Sequence, residues 1–231
     1  MIGNITIQIQ AEVISIVIVT LLLIVFALVV NYKIKHADPL EKPKGIVLFA
    51  TMIVEMLSKL TKENINHKSA PNYAPYIAVL TLYLLVSNFS GLVGLSQPTK
   101  NYSVTLTLAL ITFVLIQRAS IKSVGVLGYI KSFFDPHPVF FIMNFFSKIA
   151  PAISMSVRLF GNITSGSIIL LLVYGFTAYL SGFFPIIGNI NFIGPFIAPF
   201  LHFYFDLFVG AIQMFIFISL TTVFIGNEFA Q

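Results

Sequence analysis

The sequence contains no cysteine and no tryptophan, and only 9% of its 231 residues are charged. The absence of cysteine excludes disulfides, thiol nucleophiles and cysteine-ligated metals, and with them redox chemistry. Without tryptophan, the aromatic side chains that anchor a protein at a membrane interface must be tyrosine and phenylalanine. A soluble domain with 58% apolar residues and a mean hydropathy of +0.96 would expose large apolar patches. The chain is therefore predicted to be an integral membrane protein.

Signals of independent catalysis are also missing. There is no Ser/His/Asp order typical of a hydrolase, no phosphate-binding glycine loop and no pair of carboxylates on one helix. The histidines lack metal-ligand spacing and are interpreted as loop or interfacial residues: His36, His67, His137 and His202. We expect neither a cofactor nor a metal. The net charge of +5 comes from lysines beside apolar segments, where it indicates orientation and contact with anionic lipid rather than nucleic-acid binding.

The first part of the chain predicts one membrane span and then a helix on the membrane surface. Residues 13–30 carry no charge and are long enough to cross a bilayer. Because no basic residue precedes them, we predict a retained span rather than a cleaved signal peptide. Residues 45–62 are amphipathic, with Glu55 and lysines facing away from an apolar stripe. That stripe consists of Ile46, Phe49, Ile53, Met56 and Leu60.

The rest of the chain predicts a helical hairpin and two long helices. The hairpin covers residues 76–116 and turns at GLVGLSQPTKNY, and a polar connection with glycine and proline follows it. Residues 139–180 would form a helix about 60 Å long at 1.5 Å per residue, twice the bilayer thickness, so it must be steeply tilted. A kink is expected near Pro151, and residues 195–225 have the same excess length. We predict an all-α protein in which residues 1–231 form a single membrane domain.

The distribution of basic residues predicts the orientation of these helices. Residues 33–68 and 118–131 are rich in lysine and arginine, whereas the connection GFFPIIGNINFIG has no charge. Basic connections stay on the cytoplasmic side of a membrane. The amino end is therefore expected outside and the carboxyl end in the cytoplasm.

Arg158 is the most informative residue because it is the only charge between Lys148 and Asp206. A guanidinium at the bilayer centre costs about 3 kcal/mol on insertion scales, and it stays charged in proteins. Such a residue fits a protein that transports ions. It would act as a fixed positive gate that faces a carboxylate which enters and then leaves its vicinity. It could instead form a structural ion pair with Asp206.

Other polar residues share helical faces with these two charges. Asn162 follows Arg158 by one turn, and Gln213 follows Asp206 by seven residues. Two polar faces on adjacent tilted helices predict a lined path, although both amides could equally form interhelical hydrogen bonds. Small residues nearby allow a partner surface to approach closely; they are Gly161, Ser165, Gly166 and Ser167.

Two motifs carry a family resemblance: SVRLFGN followed by TSGS, and FDLFVGAIQMFIF near the carboxyl end. With the order of hydrophobic segments, they resemble subunit a of the F-type rotary ATP synthases. The resemblance implies an ion-translocating stator subunit in a bacterial plasma membrane. Its expected partners are a ring of c subunits, a b-type peripheral stalk, the remainder of the complex and membrane lipid.

The resemblance also implies roles for individual residues. Arg158 would face the c-ring carboxylates, and Asn162 and Gln213 would lie close to it, between two aqueous half-channels. Many family members have Glu or His at the position of Ser167, so the titratable group here is expected at Asp206, as the outer relay. For the inner side we predict Asn144 and Ser147, from their position near the basic connection.

A competing function is a secondary transporter that binds its solute with an intramembrane Arg158–Asp206 site. Such transporters usually contain two related halves with broken helices at matching positions. This sequence has no strong internal repeat. A structural anchor predicts no charge at the bilayer centre and is at odds with Arg158.

Overall fold

A computed structural model describes residues 11–36, 42–183, 191 and 193–230 of the chain. The described residues form helices and short turns without any strand, which confirms an all-α membrane protein. The amino end at residues 1–10, expected outside the membrane, lies outside the described residues. The helices are α1 (Ala11–Lys35), α2 (Gly45–Ile65), α3 (Ala70–Phe89), α4 (Tyr102–Lys131), α5 (Phe141–Ser181), α6 (Gly194–His202) and α7 (Gly210–Phe229).

Five segments of the described residues are long and apolar enough to cross a membrane. They are α1, α3 with the following 3₁₀ turn, α4, α5 with the preceding 3₁₀ turn, and the segment from α6 to α7. Helix α2 is not among them, in keeping with the surface helix predicted for it. The long segments bury a common core between α3, α4, α5 and α7, with Leu84, Ala109, Leu159 and Phe217 almost fully buried.

Helix α2 packs with a different face from the predicted stripe. Its buried residues are Leu57, Thr61 and Ile65, whereas Phe49 and Met56 are exposed. The packing face is set by α7, because a Cβ on Gly226 would lie only 2.3 Å from the carbonyl oxygen of Asn64. The close contact with Gly226 therefore favours this side of α2 as the buried one, and the predicted apolar stripe is only partly covered, with Ile46, Ile53 and Leu60 partly buried.

The second helix of the hairpin is longer than predicted. Its helical residues reach from Tyr102 to Lys131, through most of the segment interpreted as a polar connection, as two helical pieces, 102–124 and 126–131, that meet at a kink. The predicted break is reduced to Gly125, whose φ of 75° lies in the left-handed region that favours glycine. The polar residues of RASIKSV are compatible with a helix, and the charged ones lie on its exposed side.

The two long helices differ in regularity. Helix α5 is continuous over 41 residues with Pro151 inside it. Between α6 and α7, residues Phe203–Val209 form a π-helix, so the predicted helix 195–225 contains a widened segment. This segment lies close to α5, because a Cβ on Gly166 would be 3.1 Å from the Phe205 ring. π-helical segments often occur at functional sites.

Candidate functional site

Asp206 lies in the π-helix, where it is 6% exposed and both carboxylate oxygens have partners. Oδ1 accepts a hydrogen bond from Nε2 of Gln97 at 3.1 Å. Oδ2 lies 2.5 Å from Nδ1 of His202, one helical turn earlier. An isolated carboxylate in an apolar interior is costly, so these two contacts are what allow Asp206 to be buried.

The turn of the α3–α4 hairpin forms one wall around Asp206. Gln97 also donates to the carbonyl oxygen of Asn88 at 2.7 Å, which fixes its amide. The side chain of Asn88 donates to the carbonyl oxygen of Gly210 at 2.9 Å and accepts from Thr99 at 2.9 Å. A Cβ on Gly91 would lie 2.6 Å from Nε2 of Gln97 and 3.1 Å from Cγ of Asp206. The absence of a side chain at Gly91 therefore allows the hairpin turn to lie close to the Asp206 carboxylate.

His202 connects Asp206 to helix α5. Its Nε2 lies 2.7 Å from the hydroxyl of Tyr174, so the ring has a partner on each nitrogen. The side chain of His202 is 36% exposed, against 9% for that of Asp206. Tyr174, His202 and Asp206 thus form a hydrogen-bonded row from a partly exposed to a buried position.

Asn191 fixes this end of the molecule. Its amide nitrogen donates to Thr177 at 3.1 Å, and its side-chain oxygen accepts from the backbone N–H of Gly194 at 2.8 Å. Asn191 therefore joins the end of α5 to the start of α6, which sets the distance between Tyr174 and His202.

Asn162 and Gln213, one on each predicted polar face, form an interhelical hydrogen bond, the alternative to channel lining that the sequence left open. Nδ2 of Asn162 donates to Oε1 of Gln213 at 2.6 Å, across α5 and α7. Gln213 is 2% exposed, whereas Asn162 lies on the chain's surface. Tyr174 lies twelve residues after Asn162 on α5, and its partner His202 lies eleven residues before Gln213. The helix that contains His202 and Gln213 is therefore antiparallel to α5.

Arg158 is exposed on α5, and within the described residues its guanidinium has no ion pair or hydrogen bond. The ion pair with Asp206 is not formed, since both oxygens of Asp206 have other partners. Arg158 precedes Asn162 by four residues, and Asp206 precedes Gln213 by seven. Because the two helices are antiparallel, the two charges lie on opposite sides of the Asn162–Gln213 contact, and the two spacings add. At about 1.5 Å per residue, roughly 16 Å of helix axis separates the two charges.

The small residues near Arg158 divide between two faces. Ser154, Asn162 and Ser165 are exposed on the side of Arg158, and a Cβ on Gly161 would meet no atom within 4 Å. Gly166 faces inward against Phe205, so it serves helix packing within the chain. The face around Arg158 is consequently uncovered and bordered by small side chains.

The remaining predicted site residues make no hydrogen bond to the residues around Asp206 within the described chain. Ser167 donates to the carbonyl oxygen of Thr164 in its own helix at 2.9 Å. Asn144 donates to the carbonyl oxygens of Phe133 and Asp135, which fixes the turn between α4 and α5. Ser147 is exposed at the same end of α5.

Sequence reasoning missed the hydrogen-bonded residues around Asp206. His202 was interpreted as an interfacial or loop histidine, but it hydrogen-bonds Asp206 and Tyr174. Its spacing of four residues before Asp206 was the available signal. Gln97 and Asn88 gave none, because only the folded turn brings them to α7. Within the part of the chain that the structure describes, no group of three His, Cys, Asp or Glu side chains could hold a metal ion.

Comparison with known proteins decides the family. Residues 13–226 match the family described as ATP synthase A chain. The chain belongs to the ATP synthase A chain family. This confirms the resemblance seen in the sequence motifs. The chain is a multi-pass membrane subunit in the F0 sector of a bacterial ATP synthase and is not catalytic by itself.

Individual relatives support the same assignment. The chain is 32% identical to ATP synthase subunit a of Mycoplasma pneumoniae over 227 residues, covering 91% of this chain and 76% of the relative. It is 31% identical to subunit a of Priestia megaterium over 196 residues, covering 81% and 80%. A third relative, from Propionigenium modestum, is described as ATP synthase subunit a, sodium ion specific; it is 36% identical over 172 residues, 68% of this chain and 54% of that protein.

Proposed function

We propose that this ATP synthase A chain is the ion-translocating stator subunit that faces a ring of c subunits. Two half-channels lead ions to and from the ring carboxylates, and Arg158 stands between them as a fixed cation. Ion flow then drives rotation of the ring and ATP synthesis. The observation that carries the proposal is an exposed, unpaired Arg158 on a face bordered by small residues, about 16 Å of helix axis from a buried Asp206 at 1.5 Å per residue.

Electrostatics explains why such a face would couple rotation to ion transfer. A ring carboxylate must be ionised to pass a fixed guanidinium, and it must be neutralised by a bound ion before it faces lipid. Arg158 also repels cations and so prevents a direct leak between the half-channels. The uncovered side of α5 at Ser154 and Gly161 would let the ring approach Arg158 closely.

Asp206 is the proposed relay of the outer half-channel. It is supported by its burial and by its distance from Arg158, which leaves the carboxylate free to exchange an ion rather than neutralise the arginine. Asn162 and Gln213 would form the polar lining between Asp206 and Arg158, because their hydrogen bond lies between the two charges along the helices. Ser167 would contribute only a hydroxyl to this lining.

For the inner half-channel we propose Asn144 and Ser147. Both are near the start of α5, at the end opposite to Tyr174 and His202. The amide nitrogen of Asn144 is engaged by the turn before α5, so its contribution to a path would come from the carbonyl oxygen of its side chain.

The proposed setting is a bacterial plasma membrane with the amino end outside and the carboxyl end in the cytoplasm. The basic connections on the cytoplasmic side support this orientation. The whole chain would act as one membrane domain, with the c ring on the face of Arg158. A b-type peripheral stalk and lipid would cover other exposed apolar surfaces.

A secondary transporter has less support than the stator. That function needs a solute site made by Arg158 and Asp206. Asp206 instead contacts Gln97 and His202, and Arg158 has no partner among the described residues. The geometry instead separates a fixed cation from a buried acid, which suits two half-channels better than one solute site.

Substitution of Asp206 tests the relay. Asp206→Asn keeps the size of the side chain but cannot exchange a proton, so passive ion conductance and ATP synthesis in vesicles should fall at least about tenfold. Asp206→Glu should retain part of both. Rates are normalised to assembled complex, because loss of a purely structural residue would lower assembly and leave the rate per complex unchanged. Wild-type conductance per complex in Asp206→Asn would refute the relay.

A further inference from the structure

His202 has more hydrogen-bond partners than a surface histidine requires. Its two ring nitrogens each have one partner, Asp206 on the buried side and Tyr174 on the more exposed side. The partners come from different elements, the π-helix and α5, so the contact is built by the fold and not by one helix alone. Among the described residues, these two are the titratable groups that contact the His202 ring, and Asp206 is additionally held by the amide of Gln97.

We propose that His202 is a second proton-carrying residue of the outer half-channel, and that it passes protons from the side of Tyr174 to Asp206. This inference rests on the proposed function and adds to it both a residue and the identity of the ion in the outer path. Imidazole suits the role because its ordinary titration range lies between about pH 5 and pH 8.

The transfer balances within the row of three side chains. In the resting form, Nδ1–H of His202 donates to Oδ2 of Asp206, and Nε2 accepts from the Tyr174 hydroxyl. A proton from outer water, delivered through that hydroxyl, forms an Nε2–H bond; the Nδ1–H bond then breaks and an Oδ2–H bond forms. One proton enters the ring and one leaves it. The ring then carries its proton on Nε2. It returns to its starting form when it turns Nδ1 toward outer water, takes up a proton there, releases the Nε2 proton to water and turns back, for which its 36% exposed side chain has room.

The same contacts disfavour a metal ion in this segment. Both oxygens of Asp206 face nitrogen groups, Nε2 of Gln97 and Nδ1 of His202, rather than an open oxygen cage. A sodium ion prefers oxygen ligands and would have to displace both contacts, whereas a proton reaches Oδ2 through the His202 contact and leaves the Gln97 contact in place.

The test uses the assembled synthase in vesicles, stripped of its catalytic sector so that passive flux through the membrane sector can be driven by a potassium diffusion potential. His202→Asn places an amide N–H near the position of Nδ1, so Asp206 keeps a donor but the relay loses its titratable ring. Tyr174→Phe removes only the hydroxyl. Matched controls are His36→Asn and Tyr179→Phe, since both residues are exposed and neither hydrogen-bonds His202 or Asp206.

The expected result for His202→Asn is a proton flux per complex at least about tenfold lower, with the wild-type dependence on outer pH lost. Tyr174→Phe should lower the flux several-fold and keep that pH dependence. Both controls should match wild type. Wild-type flux and pH dependence in His202→Asn would overturn the proposal, because a merely structural histidine leaves the pH dependence unchanged.

Measurements on the wild-type complex provide a second test that needs no variant to fold. Flux should follow outer pH and should not increase when sodium replaces choline at fixed pH. Uptake of labelled sodium coupled to the imposed potential would overturn the proposal. Asp206→Asn separates the two levels. If Asp206→Asn conducts like wild type, the relay role of Asp206 in the proposed function fails; if Asp206→Asn is impaired and His202→Asn is not, only the role of His202 fails.

Discussion

Arg158 and Asp206 are accommodated in opposite ways. Asp206 is enclosed by the chain's own hydrogen-bond donors, Gln97 and His202. Arg158 is left exposed without any partner among the described residues. A permanent charge in a membrane needs a polar counterpart, so we expect Arg158 to find one beyond the described residues of this chain, whereas both carboxylate oxygens of Asp206 have partners within them.

Gly91→Ala tests how closely the hairpin turn fits Asp206. The new Cβ would lie 2.6 Å from Nε2 of Gln97, so the amide must move and the Gln97–Asp206 hydrogen bond should be lost. Crowding of this kind costs about 1–3 kcal/mol. We expect a lower thermal stability of the complex and several-fold slower ATP synthesis in vesicles. Gly175→Ala is the control, since a Cβ there meets no atom within 4 Å; equal behaviour of the two variants would contradict the fit.

The sequence predicts the polar pairs but not the residues that enclose Asp206. Arg158, Asn162, Asp206 and Gln213 stand out because polar residues are rare in long apolar tracts. Gln97 lies in a turn where polar residues are ordinary, so its role depends on a contact 109 positions away in the chain. The π-helix also changes the angular relation between His202, Asp206 and Gln213, and a regular helical projection cannot include it.

At the scale of the helices, hydrophobic patterning predicted the elements better than their packing faces. The apolar tracts at 13–30 and 139–180 correspond to α1 and α5, because long apolar runs have few alternatives in a membrane. The extension of α4 to Lys131 was missed because polarity was interpreted as a loop. The buried face of α2 was missed because Gly226 of another helix selects it.

Gly161→Leu tests whether the Arg158 face of α5 receives a partner. A side chain there has open space in this chain, so membrane insertion and thermal stability of the isolated subunit should be unchanged. If the c ring approaches this face closely, the leucine should reduce ATP synthesis by about tenfold or prevent assembly with the ring. The inward-facing Gly166→Leu is the contrast, because it should clash with Phe205 and destabilise the chain itself. Normal synthesis in Gly161→Leu would argue against a close partner.

For the whole molecule, the polar contacts form a sequence along two antiparallel helices. Tyr174 and His202 lie at one end, Asp206 follows, and the Asn162–Gln213 pair comes before Arg158. The order agrees with an outer half-channel that ends beside the fixed cation. Among the described residues, no row of hydrogen-bonded side chains joins Arg158 to Asn144, so the proposed inner path would involve a partner surface or water.

The orientation of the whole chain can be tested directly, because the native sequence has no cysteine to interfere with labelling. Single cysteines at Asn4 and Asn189 should react with a membrane-impermeant reagent from outside. Cysteines at Lys42 and Lys122 should react only after the inner side is made accessible, since basic connections stay in the cytoplasm. Outside labelling of Lys42→Cys would reverse the assignment of the two half-channels.

The central claim is that Arg158 is the fixed cation that couples ion flow to rotation, and ATP synthesis in vesicles under an imposed ion gradient measures it most directly. Arg158→Ala should insert and assemble normally but synthesise no ATP, and Arg158→Lys should also fail because an ammonium lacks the planar guanidinium fork. Arg118→Ala, at the only other arginine of the sequence, should keep most of the activity. Synthesis near the wild-type rate by fully assembled Arg158→Ala would contradict the account.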